Sequence, residues 1–101
     1  MNDVEIQEII QSSDLPVVLD FWADWCVSCK KLAPSISELE EEWIGTAVVL
    51  KVNVDEAIET SLKYKVMGLP SVYLVKDGKV ETQLTGTLTK SSIKESLEQL
   101  F

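Results

Sequence analysis

Cys26 and Cys29 are the only two cysteines in 101 residues, and they stand together in Phe21-Trp22-Ala23-Asp24-Trp25-Cys26-Val27-Ser28-Cys29-Lys30. On a helix their spacing is about one turn, so the two sulfurs can meet as a disulfide without moving the rest of the fold. The run Val17-Val18-Leu19-Asp20-Phe21-Trp22 leads into them, and a helical pattern leads away from about Cys26. Cys26 therefore falls at a helix N-terminus, where unpaired N–H groups and the helix dipole favour a thiolate. Cys29 falls on the first turn, nearer the core. The chemistry this supports is reversible dithiol–disulfide exchange. Half a zinc site looks the same, but zinc usually takes four ligands, and with no histidine the chain would need a second copy or carboxylates to complete one. Two inert core cysteines are the remaining alternative.

Asp20 is the other residue with chemistry in it. A carboxylate inside an apolar strand is costly to bury unless it is protonated, and a nearby base helps a thiol attack. Asp20 is thus a candidate proton acceptor for Cys29. The plain alternative is that strand alternation turns it outward into solvent, opposite Leu19 and Phe21. Lys51 is either a modulator of Asp20 or a surface lysine. Trp25 is the expected contact residue, while Trp43 reads as core and Trp22 as structural. Met67 reads equally as a groove lip or as filler. Lys30 and Lys31 add positive potential near Cys26.

These residues need elements to hold them. Val4, Ile6, Ile9 and Ile10 make a short amphipathic helix over about 4–12. Val17 to Trp22, β-branched and aromatic with little alternation, reads as a strand buried on both faces. Leu32, Ile36, Leu39 and Trp43 form one face of a helix running to about residue 43, with Pro34 expected to kink it and Gly45 to end it. Ala47 to Val54 is a second strand. Asp55 is expected to cap a helix over about 56–65 with Ile58 and Leu62 facing inward. Ser71–Val75 and Val80–Thr85 form a hairpin across Lys76-Asp77-Gly78-Lys79. Thr89 caps a last helix that buries Ile93, Leu97 and Leu100. The order α, β, α, β, α, β, β, α predicts an α/β fold. Its strand–helix–strand unit gives parallel neighbours, and the hairpin adds antiparallel strands.

One domain over 1–101 is expected at this length. A hydrophobic content of 46% with four glycines fits an ordered globular chain. The formal net charge of −8 argues against nucleic acid or an anionic membrane surface as partner. No apolar run approaches the ~18 residues of a membrane span, and the N-terminus has no basic leader pattern, so a cytoplasmic protein is expected. In that compartment two closely spaced cysteines are catalytic more often than structural.

The run Asp20-Phe21-Trp22-Ala23-x-Trp25-Cys26-x-x-Cys29-Lys30 resembles the active-site segment of the thioredoxin family. Pro34, Lys51, Gly68-Leu69-Pro70, Lys76-Asp77-Gly78 and Gly86 match the family's landmarks in order, over roughly residues 5–101. The resemblance implies a thioredoxin fold, with a mixed central sheet of about four strands flanked by helices. The family's N-terminal strand has almost no counterpart, because only a few residues precede the first helix. It also implies a protein-disulfide reductase that binds no cofactor, works through a redox-active Cys26–Cys29 disulfide and is recharged by a flavoprotein thioredoxin reductase. Carried over by position, Cys26 is the nucleophile that forms a mixed disulfide and Cys29 the resolving thiol. Trp25, Leu69, Pro70 and Gly86 line the contact surface, with a cis peptide before Pro70 aiming the backbone of Leu69 at an extended substrate. Val27-Ser28 replaces the family's usual Gly-Pro and is expected to tune the redox potential and the choice of reductase. Thr85 is more polar than the family's usual residue there.

Three readings of function follow. One is a general disulfide reductase; another is a redox carrier dedicated to one enzyme system. The third, of a different class, is a non-catalytic thioredoxin-like interaction module or a dimer sharing a metal. The missing first strand would also leave the strand at 47–54 on a sheet edge, open to self-association or to cover by the N-terminal segment.

Overall fold

The computed structural model describes residues 1–101. Its elements are α1 Asp3–Ser12, β1 Val17–Trp22, α2 Val27–Glu42, β2 Val48–Asn53, α3 Ile58–Lys63, β3 Ser71–Lys76, β4 Lys79–Thr85 and α4 Lys90–Glu98. The four strands form one mixed sheet in the order β2-β1-β3-β4. β1 pairs parallel with β2 and antiparallel with β3, and β4 returns antiparallel to β3. The expected four-stranded sheet is present, and with no strand ahead of α1, β2 is an edge.

Each face of the sheet carries its own core. On one, Leu32, Ile36 and Leu39 of α2 and Ile93 and Leu97 of α4 close over Val18, Val49, Val72 and Leu74. On the other, Ile6 and Ile10 of α1 cover Val17, Leu19, Phe21, Leu50 and Val52. α1 has 10 residues and α4 has nine, too short to persist alone in water. Burial of Ile6, Ile93 and Leu97, worth about 1.5–3 kcal/mol for each side chain, is what holds them. Strand parity then settles the place of Asp20. It shares a face with Val18, so it points beneath α2 rather than into solvent, and only 6% of it is exposed.

Local signals act as their chemistry suggests. Asn2 and Glu5 form a reciprocal capping box at the start of α1, and Thr89 and Ser92 do the same for α4. Asp77 and Gly78 both take positive φ, 51° and 77°, which makes the hairpin turn one that matches strand twist. α2 continues through Pro34 to Glu42.

Three expectations need correction. The helix at 56–65 is shorter, because Asn53 folds the chain back first. Its side chain accepts the Asp55 N–H, and its carbonyl accepts those of Glu56 and Ala57. Asp55 is therefore not the cap, and the inward positions are Ala57 and Thr60, leaving Ile58 and Leu62 58% and 72% exposed. The first turn of α3 is capped from outside instead. Asp3 of α1 accepts the Thr60 N–H at 2.8 Å and the Thr60 hydroxyl at 2.5 Å. Val4, on the outer side of α1, is exposed. Leu100 lies past the end of α4 and is partly exposed, and Phe101 takes the packing role by meeting the Trp43 ring edge-on at 4.9 Å.

Candidate active site

Cys26 and Cys29 lie where the central strand hands over to the longest helix. Cys26 is the N-cap of α2 in extended conformation, and its sulfur accepts the Cys29 N–H at 3.2 Å. The two form a disulfide with their Cα atoms 5.3 Å apart. They are nearly equally shielded, 7% and 5% exposed, so exposure does not tell them apart. Their surroundings do. Cys26 stands between two residues that project from the surface, Trp25 and Val27, whereas Cys29 faces inward with Asp20. Ala23 completes the small cluster, with Trp22, Val54 and Leu69 packed against it.

Three hollows surround the pair. The innermost, of about 150 Å³, is lined by Asp20, Trp22, Cys29, Lys30, Ala33 and Lys51. The parallel register sets Lys51 directly beside Asp20. The Lys51 ammonium nevertheless donates to Ser37 Oγ at 2.8 Å and lies 3.8 Å from Glu40, so it reaches Asp20 only as a charge through space. Burial pushes the Asp20 carboxyl up to about 6, and the Lys51 charge only partly opposes this.

The other two hollows reach the neighbours of Cys26, one at Ser28 and the other at Trp25, and share Leu69. One, of about 520 Å³, is mostly polar and is lined by Ser28, Lys31, Ser35, Thr87, Thr89 and Lys90 together with Leu69, Pro70 and Gly86. The other, of about 220 Å³, is mostly apolar and runs between Trp25, Val54, Met67 and Leu69. Trp25 is fixed by its indole N–H, which donates to Asp55 at 3.0 Å. The Leu69–Pro70 peptide is cis, and the N–H and C=O of Leu69 form no hydrogen bond within the chain. Gly86 holds φ at 103°, which a side chain would strain.

All ten residues singled out in the sequence thus come to one end of the sheet. Sequence reading missed Asp55 as the partner of Trp25, Ser61 in the apolar hollow, and Thr87 and Thr89 in the polar one. Their types carry no signal, and only the return of α3 and of the loop after β4 beside α2 brings them in.

A disulfide that closes within one helical turn, in a fold held by two separate cores, carries electrons and not architecture. The fold and this site define a thiol–disulfide oxidoreductase whose redox group is its own cysteine pair. No group of three or more His, Cys, Asp or Glu side chains is placed to hold a metal ion. The family model described as Thioredoxin matches residues 1–99. The chain is 35% identical to a thioredoxin of Haemophilus influenzae over 98% of its own length and 92% of that protein's. It is 38% identical to one of Pseudomonas aeruginosa, covering 97% and 91%. A chloroplastic M-type thioredoxin of Spinacia oleracea is 37% identical over 98% of this chain and 55% of the longer plant protein. The chain belongs to the thioredoxin family, and with it comes protein-disulfide reductase activity on disulfide substrates. No helix is long and apolar enough to cross a membrane.

Proposed function

We propose that residues 1–101 act as one unit that reduces protein disulfides with Cys26 as the attacking thiol. In the reduced protein the Cys26 thiolate attacks one sulfur of the substrate disulfide. A Cys26–substrate bond forms, the substrate S–S bond breaks, and the other substrate sulfur leaves with the electron pair. Cys29 then gives its proton to Asp20 and attacks the Cys26 sulfur. The second substrate thiolate leaves, and the protein is left with the Cys26–Cys29 disulfide. The observation that carries this assignment is the Cys29 N–H donated to the Cys26 sulfur at the start of α2. That contact stabilises negative charge on Cys26 and not on Cys29.

Trp25, Leu69, Pro70 and Gly86 would hold the substrate segment, Leu69 through its unpaired main-chain N–H and C=O. Lys51 lowers the affinity of Asp20 for the proton. Val27 and Ser28 set the potential and meet the partner, Val27 from its exposed position at the rim. A flavoprotein thioredoxin reductase in the cytoplasm would return the electrons.

The test is insulin reduction driven by NADPH and several thioredoxin reductases, beside a dithiothreitol-driven control that bypasses them. Activity in both arms is expected. Activity with dithiothreitol alone would remove the general reductases tried and favour a dedicated carrier. Cys26→Ser is expected to abolish reduction, and Cys29→Ser to accumulate mixed disulfides with its targets. If Cys29 alkylates faster than Cys26 across pH 5–8 in the reduced protein, the two roles are exchanged.

A further inference from the structure

We propose that Ser37 and Glu40 of α2 are positioning residues for the second half of the reaction. They hold the Lys51 ammonium off the Asp20 carboxyl and so keep Asp20 a strong enough base to take the proton of Cys29. The proposal rests on the role given to Asp20 above and names the side chains that set it.

The carboxyl and the ammonium start as neighbours. Asp20 and Lys51 are paired in the parallel register of β1 and β2, so their side chains leave the same face of the sheet from strands about 4.8 Å apart. Both line the innermost hollow of about 150 Å³. From that root the long lysine stem can turn its ammonium toward the carboxyl or toward α2. Paired with Asp20, the ammonium would stabilise the carboxylate and weaken its hold on a proton. The structure shows the other choice. Lys51 Nζ donates to Ser37 Oγ at 2.8 Å and stands 3.8 Å from Glu40, and no ion pair joins it to Asp20.

Two observations make this hold specific. Ser37 and Glu40 are three apart on one helix, so they face the same way and offer a hydroxyl and a carboxylate to one cation. A serine inside a helix can return its hydroxyl to the carbonyl one turn back, as Ser12 does to Glu8 and Ser61 to Ala57. The Ser37 hydroxyl makes no such bond, and its one hydrogen bond within the chain is the one it accepts from Lys51.

The other groups around Asp20 leave Lys51 as the charge to be controlled. β3 sets the apolar Val72 opposite Asp20, while α2 adds Cys29, Lys30 and Ala33 to the hollow. Cys29 is the proton donor itself, Lys30 is exposed, and it is Lys51 whose charge opposes the effect of burial on the carboxyl. A proton acceptor works best when its pKa lies near the pH of use, and burial brings Asp20 to about 6. A carboxylate paired with Lys51 would fall well below that and accept poorly.

The experiment reads Asp20 directly. The NMR shift of its carboxyl carbon is followed against pH in the reduced protein and identified by its loss in Asp20→Asn. Alongside, stopped-flow kinetics follow release of the second half of a fluorophore-labelled peptide disulfide over the same pH range. Ser37→Ala combined with Glu40→Gln puts good helix formers at both positions and frees the ammonium. The Asp20 midpoint is expected to fall by about 1–3 pH units, the effect of a cation brought within ~4–6 Å. Release of the second half is expected to slow at neutral pH, because a weaker base draws the proton less. Ser37→Thr keeps the hydroxyl and is expected to retain the wild-type midpoint. In a Lys51→Met background the same two changes are expected to leave the midpoint where Lys51→Met alone puts it, since no ammonium remains to turn. The proposal is overturned if the double variant leaves the midpoint in place, or if the two changes move it as far without Lys51. A midpoint that falls while release keeps its rate and pH profile would instead overturn Asp20 as the acceptor for Cys29, with the hold on Lys51 confirmed.

Discussion

Asp20 is the one acidic side chain that the sheet buries, and it ties stability to proton uptake. Its carboxyl is raised from 3.8 to about 6, chiefly by desolvation. Between those values the folded protein holds a proton that the unfolded chain has lost. Stability therefore falls as pH climbs through the window and is level above it. Asp20→Asn removes this loss. Relative to the wild type it is expected to gain about 2–3 kcal/mol between pH 4 and pH 8, read from urea unfolding at both. The same variant is expected to slow release of the mixed disulfide more than its formation, in stopped-flow kinetics. Equal stability differences at the two pH values would mean that solvent reaches the carboxyl. The position of Asp20 was open in the sequence for a definite reason. Alternation assigns it a face, but only α2 closing over that face makes the face interior.

At the scale of elements, β2 is an edge whose side chains are nonetheless covered. Val49 lies beneath α2, and Leu50 and Val52 lie under α1. α1 packs on a face of the sheet and does not run along the edge. The N–H groups of Val48 and Val54 donate to Pro16 and Trp22, so parallel alternation also directs those of Leu50 and Val52 inward. Those of Val49 and Lys51 face out. Hydrogen exchange is expected to show Leu50 and Val52 protected and Val49 and Lys51 fast, with Lys51 on the edge discouraging pairing between copies. Uniform protection that grows with protein concentration would show the edge filled by a second molecule. The strands were legible from their β-branched and aromatic runs, and α1, α2 and α4 from apolar residues at helical spacing. α3 was read as a helix, but its bounds, its cap and its inward face were not legible. A six-residue helix gives periodicity little to work with, and the residue that caps it stands 57 positions earlier in the chain. The cysteine site was legible from a single contiguous run, whereas the walls of its two outer hollows come from segments joined only by the fold.

For the whole molecule, stability is lost both toward acid and toward neutral pH, through different groups. Glu42 is lowered to about 2 by hydrogen bonds from Lys90 and then Lys94, and Asp3 is lowered by Thr60. Such groups support the fold above their unfolded values and lose that support as pH falls, Glu42 between about 4.5 and about 2. Glu42 is exposed and Asp3 half-buried at the surface, so salt weakens their share. Together with Asp20 they predict a stability maximum near pH 4–5 and a decline toward neutrality, measured by thermal unfolding across pH 2–8. In Asp20→Asn the upper limb is expected to flatten, while 1 M salt lowers the acid limb. Asp3 has a second consequence. Because it holds the first turn of α3, the opening residues of the chain fasten the helix that walls the apolar hollow beside Trp25. Asp3→Ala leaves the cysteines and the sheet untouched yet frees Thr60, and it is expected to speed hydrogen exchange at the Thr60 amide before it slows disulfide reduction. Whatever grips α1 from outside, such as a fused domain or a tether to a solid support, bears on that same contact between the two helices.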